Sequence, residues 1–189
     1  MMNETIHRIT LRVLTKILVL LAFAWLAWVY WGYLTHSDTP IGQPTLDIDL
    51  TDLALGDYMI VRWNERTLYI WHRTDEMLTQ LVTYNDQLQD PNSLHSQQPP
   101  AAKNHFRSMD PKYLVVFAKN NVTGCDTEVV TATMKNVTVS PWFGGFKDAC
   151  DGAYFDLAGR SYVNQSVANN LEVPPHQIIG KRLFIMEGY

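Results

Sequence analysis

The sequence predicts a mainly β protein in which one N-terminal transmembrane helix precedes a small antiparallel β domain. Two observations lead to this class. An uncharged apolar run of 18 residues lies near the N-terminus, and after residue 45 short β-prone runs alternate with glycine-containing turns. The chain has 189 residues with 47% hydrophobic content, which is enough for one folded domain of ordinary size.

Composition excludes several functional classes. Aromatic residues reach 12% and charged residues only 18%, so a wholly disordered chain is not expected. The net charge is −4 and no basic patch is evident, so no nucleic acid partner is predicted. Two cysteines cannot form a four-thiolate zinc or iron–sulfur site. Motifs for a catalytic triad, a phosphate loop or a metalloprotease are absent from the sequence, so we predict no catalytic residue.

The uncharged run, Ile17–Leu34, is long enough to cross a bilayer, since a helix of this length spans roughly 27 Å. Its C-terminal end is rich in aromatic residues that favour the membrane interface, namely Trp28, Tyr30, Trp31 and Tyr33. The basic residues of this region precede the run. We therefore predict a cytoplasmic N-terminus over residues 1–16, a transmembrane helix over 17–34 and an exported remainder. A cleaved signal peptide and a buried core helix are the alternatives.

The exported part begins with a predicted linker, residues 35–45, which contains two prolines and small polar residues. Two β-prone runs follow, Tyr58–Trp63 and Thr67–His72, and their spacing predicts a hairpin. Thr74 is a candidate cap for a short helix that ends near Thr83. The polar segment 85–110 is predicted to be irregular, and the apolar runs 113–118 and 182–186 to be strands of a sandwich or barrel.

The two cysteines, Cys125 and Cys150, both lie in the predicted exported part. An oxidising compartment and an even number of cysteines favour a disulfide between them. Each lies beside a turn glycine, so such a bond would connect two loops. Two buried free thiols are the alternative.

Five segments, taken in chain order, resemble the Rieske iron–sulfur subunit of ubiquinol–cytochrome c reductase. They are residues 110–118, 124–125, 142–146, 150–160 and 170–175, and they include Gly124-Cys125, Trp142-Phe143-Gly144-Gly145 and Cys150-Asp151-Gly152. The collinear series implies that residues 46–189 form a Rieske-like antiparallel β domain.

The resemblance also identifies where a two-iron, two-sulfur cluster would be held. Family members supply two Cys and two His ligands from the loops C-T-H-x-G-C and C-x-C-H-G-S. This chain has Asn120 and Val122 at the ligand positions of the first loop, and Asp148 and Asp151 at those of the second. All four ligands are therefore replaced, and the remaining pair, Cys125 and Cys150, corresponds to the family's disulfide.

Other features of the family's cluster site are also absent from the sequence. Ala153 and Phe155 occupy positions where family members commonly carry hydroxyls that hydrogen-bond the cluster and its ligand. The segment 164–168 corresponds to the proline-rich loop but contains no proline. We therefore predict no cluster, with the two-iron, two-sulfur cluster as the alternative.

No other metal is predicted in the two loops. None of the six His residues lies in either loop. The carboxylates near the loops are interpreted as solvated turns, and they are Asp126, Glu128, Asp148, Asp151 and Asp156.

Three functional hypotheses follow from the sequence. The first is a cluster-free structural or assembly subunit of a cytochrome bc complex in a bacterial inner membrane, with a periplasmic β domain and with cytochrome b, cytochrome c1 and the lipid bilayer as partners. The second is a working Rieske subunit that oxidises ubiquinol and reduces cytochrome c. The third is a free-standing periplasmic binding module. Trp142–Phe143 is either a partner-facing apolar tip or a pair packed under the second loop.

Overall fold

The computed structural model describes residues 2–35, 44–135, 137–166 and 169–187, and the chain divides into an N-terminal unit ending at Ile41 and a β unit from Gly42. The N-terminal unit contains helix α1, Met2–Thr35. Among the described residues, one segment of this helix, Leu11–Trp31, is long and apolar enough to cross a membrane. Residues 36–43 of the predicted linker lie outside the described residues.

The described part of the β unit consists of strands with one short helix and two single 3₁₀ turns. The strands are β1 (Pro44–Asp49), β2 (Tyr58–Trp63), β3 (Arg66–His72), β4 (Tyr113–Phe117), β5 (Thr127–Val130), β6 (Gly145–Asp148), β7 (Tyr154–Phe155), β8 (His176–Ile179) and β9 (Arg182–Met186). Helix α2 is Asp75–Thr83, and the 3₁₀ turns are Asn85–Gln87 and Pro100–Ala102. The mainly β class predicted from the sequence is confirmed.

The strands form three antiparallel sheets, each of three strands, in the orders β1-β9-β8, β2-β3-β4 and β5-β6-β7. The β2-β3-β4 sheet contributes to two hydrophobic clusters through alternating residues of its strands. Leu114 and Val116 of β4 pack in one cluster with Phe146 and Phe155 of the third sheet, whereas Val115 packs with residues of the first sheet. Every residue of β4 is buried, which explains why its sequence is a continuous apolar run without polar alternation.

The predicted hairpin and the predicted helix are both present. Strands β2 and β3 are joined by Asn64 and Glu65, which have φ of 46° and 62°. Two consecutive positive φ values fit a tight two-residue turn whose twist matches that of the flanking strands. Helix α2 begins after Thr74, whose side-chain oxygen accepts a hydrogen bond from the Met77 amide at 3.3 Å.

The polar segment 85–110 is irregular, as predicted, but buried polar groups fix it firmly. Asp90 accepts hydrogen bonds from the amides of Leu94 and His95, at 2.8 and 3.0 Å. Arg107 is fully buried and donates to the carbonyls of Ala158 and Gly159, at 3.2 Å each. Charged side chains buried in this way need such partners. The Asp90 bonds hold the segment's own fold, and the Arg107 bonds attach it to the turn that follows β7.

Gly145 of β6 is expected to tolerate no side chain. A Cβ atom at this position would lie 2.0 Å from the Phe155 carbonyl oxygen and 2.8 Å from the Asp156 carbonyl carbon. Both obstacles are backbone atoms, so Gly145→Ala should lower the free energy of unfolding by about 3 kcal/mol or more in denaturant titrations. Gly180→Ala is the matched control, because nothing lies within 4 Å of its Cβ and only its φ of +62° is strained. The Gly180→Ala control should lower the free energy of unfolding by about 1 kcal/mol. Equal losses for the two variants would contradict a backbone clash at position 145.

Candidate functional site

Two loops meet at one end of the β5-β6-β7 sheet. The first tip loop, residues 119–126, leads into β5 and is closed by a bridge between Lys119 and Asp126. The second tip loop, residues 148–153, connects β6 to β7. Because Thr127 at the start of β5 pairs with Asp148 at the end of β6, the antiparallel register brings the two loops side by side. We refer to the two loops together as the tip.

The predicted disulfide is present at the tip and links the two loops. Cys125 and Cys150 are bonded with their Cα atoms 6.1 Å apart, and no cysteine of the chain is free. Cys150 is exposed and Cys125 is partly buried. The alternative of two buried free thiols is therefore wrong.

Asp148 and Asn120 form the buried centre of the tip. Asn120 is 2% exposed and Asp148 is 0% exposed, and the Asn120 amide nitrogen donates to Asp148 Oδ2 at 2.7 Å. The Thr123 hydroxyl donates to the same oxygen at 2.8 Å. The other oxygen, Oδ1, accepts from the backbone amides of Cys150 and Asp151, at 2.8 and 3.2 Å. One carboxylate thus accepts four hydrogen bonds, two from the first tip loop that link it to the second and two from within the second tip loop itself.

The electrostatic environment keeps Asp148 ionised. Burial by itself raises the pKa of this carboxyl, since it penalises the charged form. The hydrogen bonds from Thr123 and Asn120 and from the two backbone amides outweigh burial, so the pKa lies below the ordinary Asp value of 3.8.

This shift predicts a loss of stability in acid. The pKa of Asp148 is lower in the folded than in the unfolded chain, so its contribution is complete above the unfolded value and is lost as pH falls through the folded value. Denaturant titrations should therefore show the free energy of unfolding falling below about pH 4. Asp148→Asn, if folded, should have a shallower acid slope than the wild type. Parallel slopes would exclude Asp148 as the source of this pH dependence.

The other two positions of the family ligand set lie at the surface. Val122 is 55% exposed, and its backbone amide donates to Asn120 Oδ1 at 2.9 Å. Asp151 is exposed and accepts hydrogen bonds from the Ala153 amide at 3.0 Å and from the Ser166 hydroxyl at 2.5 Å. The fold therefore places all four positions on the tip, with two buried and bonded to each other and two facing solvent.

The sequence interpretation of the loop carboxylates is wrong for two of them. Asp126, Glu128 and Asp151 are exposed, as expected of solvated turns. Asp148 is fully buried, and Asp156, at 6% exposure, forms an ion pair of 2.7 Å with the buried Arg160. These carboxylates are buried because amide, hydroxyl and guanidinium donors distant in sequence converge on them. Thr123 and Ser166 were missed for the same reason, as nothing in the local sequence marks them as donors.

Among the described residues, one group has the composition of a metal site. Cys125, Asp148 and Cys150 place their potential ligand atoms within 4.8 Å of one another. The two sulfur atoms are bonded to each other, and the carboxylate oxygens already accept four hydrogen bonds. This group therefore acts as a cross-link between the loops in the disulfide form.

Trp142 and Phe143 pack against neighbouring aromatic side chains, as one of the two sequence hypotheses expected. The Trp142 ring lies 5.3 Å from Tyr154 and 6.1 Å from Tyr162, and its Nε1 donates to the Thr131 carbonyl at 3.1 Å. Phe143 lies 5.0 Å from Tyr84. Both residues are partly buried, so the pair supports the sheet beside the tip.

Known proteins that are similar in sequence to this chain are named as iron–sulfur subunits of ubiquinol–cytochrome c reductase or as Rieske subunits of the cytochrome b-c1 complex. The ubiquinol–cytochrome c reductase iron–sulfur subunit of Allochromatium vinosum is 35% identical over 135 residues, which cover 71% of this chain and 65% of that protein. The chain is a homologue of the Rieske iron–sulfur subunits. The ubiquinol–cytochrome c reductase iron–sulfur subunit of Blastochloris viridis is 26% identical over 161 residues, covering 82% of this chain and 80% of the relative. The mitochondrial Rieske subunit of Saccharomyces cerevisiae is 22% identical, covering 80% of this chain and 62% of the relative.

The chain therefore spans a little under two thirds of the Allochromatium iron–sulfur subunit and of the yeast Rieske subunit. No protein-family model matches the chain. Among solved structures, a chain of a hyperthermophilic respiratory Complex III aligns with 89% of this chain and 97% of its own length, at a TM-score of 0.44 and 15% identity. The Rieske assignment rests on the sequence relatives.

Proposed function

We propose that this Rieske homologue is a membrane-anchored subunit of a cytochrome bc complex, that it carries no iron–sulfur cluster, and that its role is structural or in assembly. The names of the relatives support the complex. The single observation that carries the cluster-free part is the buried hydrogen bond between Asn120 and Asp148, which joins two positions where the family has cysteine ligands.

The donor set at the tip supports the absence of a cluster. A Rieske centre needs two thiolates on one iron and two imidazoles on the other. The four matching positions here carry an amide, an isopropyl group and two carboxylates, and this set does not fit the cluster. The sulfur atoms of Cys125 and Cys150 are bonded to each other and are not thiolates.

The contacts of Asp148 support the same conclusion. Asn120 Nδ2 and Asp148 Oδ2 are 2.7 Å apart, which is direct hydrogen-bond contact. Iron held between these side chains would have to break that contact and the bond from Thr123. Removing donors from a buried carboxylate costs free energy, so the hydrogen bonds and the cofactor are competing ways of joining the loops. In this chain, hydrogen bonds join them.

The proposed anchor is helix α1. Its Leu11–Trp31 segment has a mean hydropathy of 2.0, and none of that window is buried within the protein. Such a surface is stable when lipid or other membrane helices surround it. Arg8 precedes this segment, and Arg12 and Lys16 lie in its first six residues, ahead of the uncharged run that begins at Ile17. We place this end of the helix at the cytoplasmic face and the β unit in the periplasm of a bacterial inner membrane, with cytochrome b and cytochrome c1 as partner subunits.

The alternative is a working electron-transfer subunit. The Allochromatium and Blastochloris relatives are named iron–sulfur subunits, and this favours a cluster. It would require iron ligands other than the residues at the family positions. The cluster-free proposal is preferred because the buried pair of ligand positions is already satisfied by hydrogen bonds within the protein.

The test is chemical analysis of the full chain purified in mild detergent from its native membranes. We expect no stoichiometric iron or acid-labile sulfide, no electron paramagnetic resonance signal after reduction, and co-purification of cytochrome subunits. The Allochromatium vinosum relative, purified in parallel, serves as the positive control for cluster retention. Stoichiometric iron with a reduced-state signal would contradict the cluster-free proposal. Recovery of the chain alone would contradict membership of a complex and favour a free-standing periplasmic module.

A further inference from the structure

We propose that the Cys125–Cys150 disulfide is a thiol–disulfide exchange site that accepts two electrons from a dithiol, with the tip remaining folded when the bond opens. The disulfide lies in the two tip loops, and Cys150 is exposed. Exposed disulfides are more readily attacked by thiolates than buried ones, and they are the labile ones among protein disulfides. The exchange involves the sulfur atoms only and does not require the proposed role in a bc complex.

Hydrogen bonds also link the two tip loops, so the disulfide can open without separating the loops. Asn120 and Thr123 of the first tip loop both donate to Asp148 of the second, at 2.7 and 2.8 Å. The Ala149 amide donates to the Asp126 carbonyl across the loops at 3.0 Å. None of these bonds involves sulfur, so all of them can persist after reduction. A disulfide that was the sole link between two loops would lack this property.

Each loop also has its own internal bonds. In the first tip loop the backbone amide of Asn120 donates to the Cys125 carbonyl at 2.9 Å, and the backbone amide of Gly124 donates to the backbone carbonyl of Asn120 at 2.8 Å. In the second, the Gly152 amide donates to the Asp148 carbonyl at 3.1 Å. The two cysteines are therefore held near each other by backbone geometry, which favours re-formation of the bond.

Exposure assigns the order of the exchange. The attacking thiolate of the dithiol bonds to the Cys150 sulfur, and the S–S bond breaks with its electron pair going to Cys125, which then takes a proton. The second thiol of the dithiol, as thiolate, then attacks the dithiol's own first sulfur in the mixed disulfide. This step closes the oxidised dithiol and releases the Cys150 sulfur, which takes a proton in turn. The products are two cysteine thiols and an oxidised dithiol, so two electrons and two protons pass to the chain.

The first test is a redox titration of the full chain in detergent with graded ratios of reduced to oxidised dithiothreitol. Free thiols are counted by maleimide mass shift, and folding is followed by near-ultraviolet circular dichroism. We expect thiols to rise from zero to two per chain along a reversible two-electron curve while the near-ultraviolet signal is kept. Thiols that appear only together with loss of that signal, or only in denaturant, would overturn the proposal.

The second test locates the attacked sulfur. The oxidised protein is treated briefly with reduced glutathione, a monothiol that can release the mixed disulfide only through attack by a second molecule, then quenched in acid and mapped by peptide mass spectrometry. The adduct is expected on Cys150. An adduct mainly on Cys125 would overturn the assigned order, and no adduct in folded protein would overturn the exchange site itself. The variant Cys125→Ser with Cys150→Ser is the control and should give no adduct.

Discussion

Replacing Asp148 by Asn should lower the free energy of unfolding by about 3 kcal/mol, because this buried carboxylate satisfies four donors from two loops. The substituted amide keeps the shape of the side chain but has one acceptor oxygen instead of two. Its nitrogen would face another donor, either from Asn120 and Thr123 or from the two backbone amides. A buried donor without an acceptor loses its hydration with no compensation. Chemical denaturation of the two proteins measures the difference.

Asp151→Asn is the matched control for this experiment. Asp151 lies three residues from Asp148 in the same tip loop, but it is exposed, and among the described residues its oxygens accept from Ala153 and Ser166. Water can replace these bonds, so the control should change the free energy of unfolding by no more than about 0.5 kcal/mol. If Asp148→Asn behaved like the control, the carboxylate would not be what joins the loops.

The β unit was predictable wherever local pattern determines structure. The hairpin over Tyr58–His72 follows from two β-prone runs separated by turn residues, and the helix from a capping threonine. The strand Arg182–Met186 lies where its apolar run indicated. These elements depend on neighbours in the chain, which is the information that a single sequence contains.

The centre of the tip was not predictable from local pattern. Asp148 precedes an alanine, a cysteine and an Asp-Gly pair, a composition typical of a solvated turn. Its burial depends on Asn120 and Thr123, which are 28 and 25 residues away and become neighbours through the pairing of β5 with β6. The family resemblance identified Asn120 and Asp148 as a pair of replaced ligands. It did not indicate that the two replacements would bond to each other.

Under the proposed cluster-free function, this bond explains why both ligand positions would be replaced together. In a cluster-bearing protein, a cofactor placed between two loops holds them together, so its loss would leave polar loop groups without partners. Here Asn120 offers donors and Asp148 offers acceptors at matching positions. Such complementary replacement at two positions preserves a joined tip, whereas replacement at only one would leave a buried group unsatisfied.

Removing the disulfide with Cys125→Ser should lower the free energy of unfolding by about 3.5 kcal/mol, since the bond closes a loop of about 25 residues in the unfolded chain. The β unit should nevertheless stay folded, because a loss of this size falls below the stability of a typical domain. The Asp148 hydrogen bonds should continue to hold the tip loops. Thermal and chemical unfolding measure the loss, and near-ultraviolet circular dichroism checks that the fold is kept.

Combining Cys125→Ser with Asp148→Asn tests whether the covalent link and the hydrogen-bonded link act on the same loops. With both removed, only backbone hydrogen bonds still join the loops, so the double variant should lose more than the sum of the single losses by at least about 0.5 kcal/mol. The pair Cys125→Ser with Asp151→Asn is the control and should be additive, because Asp151 makes no bond between the two tip loops. Additivity in both pairs would mean that the two links stabilise the protein independently. The tip would then owe its geometry to the β5-β6 pairing alone.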